Sequence, residues 1–299
     1  MSVTKRSYRG WANNCELSNG AIELIVTADV GPRVISCGFP GGRNLFKNYD
    51  GAMGGSGEEH WENRGGHRLW VAPEDHATTY ALDNSPISIT ETAEGLIATQ
   101  PVDPGTRLEK QIEIRLALSS AEATLIHRIR NHNRFAIRFA PWALTVMAPG
   151  GVAVASLPPR ARHEDRLLPT NPLVMWGYTD LSDPRWKFLP RHILLRQDPA
   201  AATPQKAGLF AERTRLAYQL EGDVFLKTST ADPSSTYPDM GASGEIFTNR
   251  DMLELETLGP LETVAPGAFV EHIEHWSLHR APSFLGMSED ELHAWFEGR

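Results

Sequence analysis

The stretch MLELET, residues 252–257, carries two carboxylates two positions apart. Read as a β-strand, its period-2 alternation sends Glu254 and Glu256 to one face and Leu253, Leu255 and Thr257 to the other. Like charges on one strand face are unfavourable unless that face is solvated, paired with cations, or shaped around a polar ligand. The strand is therefore either an exposed edge or a site.

Two other clusters have residue types that bind metals. EEHWE at 58–62 and EHIEH at 271–275 both join His to Glu. On a strand, however, the HxxH spacing splits His272 and His275 to opposite faces, and the HExxH zinc pattern is absent. A solvated polar loop and strand describe them better, so the sequence assigns no metal. The Gly-rich GAMGGSG lacks the Lys-Ser/Thr of a phosphate loop and does not lead from a strand into a helix, so no nucleotide or other cofactor is assigned.

Composition narrows the function classes. The chain has 299 residues, 41% hydrophobic and 22% charged, enough for a large core in a folded protein; its 21 Pro and 25 Gly signal many turns. All-β architectures often pass two hundred residues as one domain, so residues 1–299 are read as a single domain. The net charge of −8 and the lack of a Lys/Arg cluster argue against a nucleic-acid partner. Only Cys15 and Cys37 are present, too few for a disulfide scaffold. The N-terminal MSVTKRSYRGWANN has basic residues but no apolar segment behind them, and no run approaches the roughly 18 apolar residues of a membrane span. The expected location is cytoplasmic, with no membrane partner.

Short apolar or alternating runs between turn signals build the scaffold. AIELIVT (21–27) and RVISCGF (33–39) flank Asp29-Val30-Gly31-Pro32 as a hairpin. Residues 43–66 read as a long Gly-rich loop, HRLWVAPED as a strand ending at Pro73, and ISITETAEGLIATQ as two strands about an Ala-Glu-Gly turn. In RLEKQIEIRLAL (107–118), Glu109, Gln111, Glu113 and Arg115 alternate with Lys110, Ile112, Ile114 and Leu116, giving a strand with one wet face. Pro141 interrupts RFAIRFAPWALTVM and predicts an edge position or a bulge. Four more short runs, HILLRQDP to DVFLKTST, precede the loop ADPSSTYPDMGAS, and PGAFVEHIEHWSLHR closes the sheet. Ser288 and Glu291 form a capping-box pattern for one short C-terminal helix with Leu292, Trp295 and Phe296 on its apolar side. Many short strands with almost no helix predict an all-β fold, a large antiparallel sandwich or barrel.

The succession of GPRVISCGF, GGHRLW, APWALTVM and LELETLGP resembles the galactose mutarotase-like superfamily of carbohydrate-active proteins, over nearly the whole chain. It is similar in particular to a bacterial branch whose members share YPDMG, EIFTN and LELETLGPL. The resemblance implies a β-supersandwich of antiparallel sheets with a monosaccharide bound on the concave face of the larger one. It also implies a possible aldose 1-epimerase activity, an isomerase reaction in which a late-strand Glu in an ETQ-like context is the base and a His protonates the ring oxygen. Glu256-Thr257-Leu258 matches that context with Leu in place of Gln, which makes Glu256 the candidate base. A carboxylate suits the role because ring opening moves a proton off one oxygen as another gains one, and placed acid/base groups supply roughly 10²- to 10⁴-fold. Where the family carries its His, this chain has Pro141, Trp142 and Ala143.

By rough position in the same family, His67 stands as the substitute acid and Arg68 as a hydroxyl-binding group, with Arg33 near the start of the second strand. The competing reading of His67 is a surface histidine after a Gly-Gly turn, and that of Arg33 an exposed hairpin arginine. Glu254 is assigned to support, paired to an arginine. Trp142 suits stacking on a sugar ring, whereas Trp70, Trp176 and Trp186 are weaker, with core favoured for at least two. Lys227 and Asp239 flank one loop and are candidates for the site rim. If Lys227 points inward, it and Arg33 or Arg68 favour an acidic or phosphorylated sugar. Two alternatives stay open: a carbohydrate-binding protein that has lost catalysis, and a glycoside hydrolase or lyase using Glu254 and Glu256. In the latter, Cα atoms about 6.5–7 Å apart approach from one side, whereas glycosidic cleavage needs carboxylates flanking the bond.

Overall fold

The computed structural model describes residues 2–299. The chain opens with five antiparallel strands, β1 (Ser2–Tyr8), β2 (Trp11–Ser18), β3 (Glu23–Thr27), β4 (Arg33–Gly38) and β5 (Gly66–Ala72). Four strands of a second sheet follow: β6 (Ser88–Glu91), β7 (Gly95–Thr99), β8 (Leu108–Leu116) and β9 (Glu122–Asn131). The long β10 (Ile137–Met147) returns to the first sheet. Next come β11 (Val152–Ser156), β12 (Leu173–Met175), β13 (Trp186–Phe188), β14 (His192–Arg196), β15 (Gln205–Leu209), β16 (Arg213–Leu220) and β17 (Asp223–Thr230). The chain ends with β18 (Gly244–Thr248), β19 (Leu253–Leu258), β20 (Glu262–Val264), β21 (Phe269–Arg280) and the helix α1 (Glu289–Glu297).

These strands form two sheets. The 11-stranded sheet runs β1-β2-β3-β4-β5-β10-β19-β18-β15-β12, with β20 paired to β10; the 10-stranded sheet runs β13-β14-β11-β16-β17-β21-β9-β8-β7-β6. One core cluster lies between them, including Leu24, Leu69, Met147, Leu253 and Leu255 from the first sheet and Ile112, Leu125, Phe225 and Trp276 from the second. In β8 the expected alternation holds except at Glu113: Leu108, Lys110, Ile112, Ile114 and Leu116 are buried and Glu109, Gln111 and Arg115 half-buried, but Glu113 is buried beneath its ion pairs with Arg115 and Arg128. Tight turns fix the registers. Tyr8 pairs with Trp11 across Arg9-Gly10, and Leu220 with Asp223 across Glu221-Gly222; both residues of each turn have positive φ, the two-residue hairpin geometry that suits strand twist.

Two sequence expectations are corrected. Pro141 lies in a central strand without a bulge: β10 is bonded to β5 on one side and to β19 and β20 on the other. The proline falls between Phe139, the last residue paired to β20, and Trp142, the first paired to β19, and its carbonyl accepts from Gly259 N. Its missing N–H therefore points at the corner between those strands, where no ladder bond is due. Likewise β21 does not close a sheet but lies between β17 and β9. The expected helix forms, with Ser288 and Glu291 completing a reciprocal capping box and Leu292, Trp295 and Phe296 buried.

Candidate functional site

Alternation along β5, β10 and β19 gives the larger sheet two different faces. Arg68, Trp70 and Ala72, Ala140, Trp142 and Leu144, and Glu254, Glu256 and Leu258 point away from the second sheet. Six of these apolar side chains, with Trp61 and Tyr80 from covering loops, form a separate hydrophobic cluster on that outer face. Strand register places Arg68 beside Leu144, Leu144 beside Glu256 and Glu256 beside Glu245. One row along, Val146 lies beside Glu254, Glu254 beside Phe247, and Phe247 beside Lys206.

The charges on this face pair diagonally. Arg68 Nη2 donates to Glu254 Oε1 at 3.0 Å. Lys206 Nζ lies 2.7 Å from Glu245 Oε2 and 2.9 Å from Glu256 Oε2, and Trp142 Nε1 donates to the same Glu256 oxygen at 2.9 Å. Both cations rest on aromatic rings, Arg68 at 4.1 Å from the Trp70 centroid and Lys206 at 4.9 Å from Trp142 and 4.6 Å from Trp176. Burial depresses the Lys206 ammonium, but the two carboxylates more than offset this and raise it above the ordinary lysine value. Burial raises Glu254 and, more strongly, Glu245 above the carboxylate range; neighbouring Glu256 adds to both, against the pull of Arg68 and Lys206 respectively.

A cleft of about 280 Å³ opens over these groups, lined by Trp61, Asn63, Arg68, Trp70, Glu74, Tyr80, Trp142, Leu144, Tyr178, Lys206, Phe247, Met252 and Glu254. This is near the lower end of small-ligand sites, about 300 Å³. Several buried polar atoms here have no protein partner: Arg68 Nε and Nη1, Trp61 Nε1, Trp70 Nε1 and Glu256 Oε1. A larger groove, about 1040 Å³, runs between residues 156–163 and α1, but its Arg191 and Arg215 are paired to Glu289, Asp290 and Glu297.

The predicted residues divide between the two faces. Trp142, Arg68 and Glu254 line the cleft, and Glu256 lies beneath it, fully buried, with Lys206 and Trp142 bonded to it. Asp239 is half-buried in the loop before β18, where Asp239, Met240 and Gly241 all have positive φ, a conformation costing about 1–3 kcal/mol for a non-glycine residue. Burial raises its carboxyl, with Lys206 and Glu256 among the charges acting on it.

His67, Lys227 and Arg33 are elsewhere, which corrects their assignment to the cleft. His67 points between the sheets, its Nδ1 2.9 Å from Thr145 Oγ1 and its Nε2 2.7 Å from His127 Nε2. Lys227 Nζ, from the second sheet, lies 2.6 Å from Glu274 Oε1 and donates to the carbonyls of Ala143 and Leu255 at 3.1 Å. Thr257 completes this interior network by bonding His272 and Glu274. Arg33 is fully buried, bonded to Asp83 and to the carbonyl of Gly65. The condition for an acidic or phosphorylated ligand, an inward Lys227, is therefore not met.

Burial holds His67, His127 and His272 below the ordinary histidine value, His272 at about 3, against the attraction of Glu274. Burial acts to raise Glu274, but Lys227 and the imidazoles outweigh it and keep this carboxyl far below the usual range. His67, His127 and Glu274 have ligand atoms within 4.8 Å of one another, the spacing of a possible metal set. Lys227 already supplies the positive charge against Glu274, and the two imidazole nitrogens bond each other directly.

No protein-family model and no curated protein sequence matches the chain. Solved structures do. A protein from Synechocystis superposes with a TM-score of 0.59, covering 94% of this chain and 100% of its own at 11% identity. A galactose mutarotase-like protein from Lactobacillus casei gives 0.55, covering 89% and 100% at 10% identity. A galactose mutarotase related enzyme from Lactobacillus acidophilus gives 0.53, covering 89% and 97% at 9% identity. The chain has the galactose mutarotase-like fold.

Within this galactose mutarotase-like sandwich, sequence reasoning missed Lys206, Glu245, Glu74, Trp61, Tyr80 and Tyr178. Glu245 was legible in part, since a strand at GEIFT pairing antiparallel with LELET sets it near Glu256. Lys206 carried no local signal. Of the three weaker tryptophans, Trp186 is core and donates to Gln205, whereas Trp70 lines the cleft and Trp176 covers Lys206.

Proposed function

We propose that this protein binds a monosaccharide in the cleft over β5, β10 and β19. The supporting observation is the pairing of aromatic walls with buried, unpartnered donors on Arg68 and Trp70 beside the Arg68–Glu254 ion pair. Sugars present apolar C–H faces and hydroxyl acceptors together, and both find partners here. The neighbours described as galactose mutarotase-like or galactose mutarotase related supply the ligand class.

Two readings of its chemistry follow. In the isomerase reading, of aldose 1-epimerase type, a carboxylate takes the proton from the anomeric hydroxyl, the ring C–O bond breaks as a solvent water protonates the ring oxygen, and after rotation of the aldehyde the reverse transfers close the ring on its other face. Glu254 lines the cleft, as Glu74 does, and it stands on β19 beside Arg68; burial raises its pKa toward the range useful for a general base. Glu256, the base implied by the family resemblance, is fully buried beneath the cleft, with Lys206 and Trp142 bonded to one of its oxygens. The binding-only reading is favoured by the cleft lining, which contains no histidine. Glycoside cleavage has least support, because Glu254 and Glu256 share one face and Glu256 is buried.

An NMR screen of aldoses tests the proposal by recording binding and anomer exchange in the same samples. Saturable binding is expected. Exchange faster than buffer identifies the isomerase, exchange at the buffer rate identifies the binding protein, and no binding of any aldose rejects the proposal.

A further inference from the structure

Resting on that reading of the cleft, we infer that its preferred ligand is an amino sugar, held by its hydroxyls at Arg68 and Trp70 and by its ammonium group at Glu74. Four carboxylates, Glu74, Glu245, Glu254 and Glu256, stand in or directly beneath the cleft, against two cations, Arg68 and Lys206. Each cation already faces a carboxylate: Lys206 lies between Glu245 and Glu256, and Arg68 is bonded to Glu254 through Nη2.

The excess charge has an accessible position. Glu74 follows β5, is exposed, and accepts from the Tyr80 hydroxyl; it has no cationic partner among the described residues. Tyr80 belongs to the aromatic group formed with Trp61 and Trp70, centroids 5.6 and 5.0 Å away. A carboxylate beside an aromatic group, in water on one side, is a setting that attracts an ammonium ion.

A second observation is independent of the carboxylates. Arg68 is 2% exposed and lines the cleft, yet its Nε and Nη1 have no acceptor; nor has the Nε1 of Trp70, which is 6% exposed. Buried donors of this kind call for acceptor oxygens. A ligand with hydroxyls at one end and a cation at the other satisfies both halves of the cleft. A phosphate or uronate would bring a further anion among carboxylates whose cations are already paired.

The test uses the full chain near pH 7, with ligand-observed NMR titration of glucosamine, galactosamine and mannosamine, their N-acetyl derivatives, the parent hexoses, the hexose 6-phosphates and the uronates. At least one amine should bind about fivefold more tightly than its parent hexose, the upper range for a solvent-reached ion pair. N-acetylation, which removes the charge, should cancel that advantage, and Glu74→Gln should remove most of the ratio between amine and parent. Equal affinity for amine and N-acetyl forms, or tightest binding of the phosphates or uronates, overturns the amino-sugar inference and leaves the sugar-binding reading intact. No saturable binding by any sugar overturns both.

Discussion

Lys206 Nζ lies 2.9 Å from Glu256 Oε2, and the same ammonium is 2.7 Å from Glu245. One cation thus sits between two buried carboxyl groups directly opposite each other in the β18–β19 ladder. Without it, two like charges would share a buried sheet face.

Lys206→Met should therefore cost about 3–5 kcal/mol of stability, the range for removing one partner of a buried ion pair. Urea unfolding measures it, and adding Glu245→Gln should restore part of the loss. A single-mutant cost below about 1 kcal/mol would mean the carboxylates accommodate themselves by protonation instead.

The two glutamates of β19 should separate by substitution. Glu254→Gln breaks a charge-assisted contact at the cleft surface and should raise the sugar Kd about tenfold. If the protein is an isomerase, the same change should slow anomer exchange by about 10²- to 10⁴-fold. A larger loss from Glu256→Gln would identify the buried carboxylate as the base.

Acid should destabilise the fold before most carboxylates titrate. Below about pH 6.5 the unfolded chain protonates His67, His127 and His272 while the folded chain does not, so unfolding takes up protons. Their contribution is complete above that pH and is lost progressively as pH falls, down to about 3 for His272. Glu245 and Glu254, raised above 4.5 in the folded state, act in the opposite direction. Stability measured at several pH values should show His272→Gln reducing the acid slope by about 1.4 kcal/mol per pH unit between pH 4.5 and 6. An unchanged slope would rule out neutral burial of this imidazole.

The interior pair should behave as a unit. Lys227→Met and Glu274→Gln each leave a partner buried without its counter-charge and should each cost about 3–5 kcal/mol. The double variant should cost less than the two added together, by roughly 1–3 kcal/mol of coupling. Full additivity in denaturant melts would contradict the direct contact.

What the sequence determined by itself was local. Period 2 separated Glu254 and Glu256 from Leu255 and Thr257, and His272 from His275; the Ser288 capping box marked the helix. The same rule forbids His67 and Arg68, adjacent on β5, from sharing a face, and the structure sends one to the interior and the other to the cleft. Tertiary structure alone decided which face became the cleft and which partners meet there. Arg68 and Glu254 are 186 positions apart, and Lys206 and Glu256 are 50 apart. Alternation within a strand says nothing about which strands lie side by side. That order comes from burying both sheets against one core, and only then does a lysine without local signal come to stand between two carboxylates.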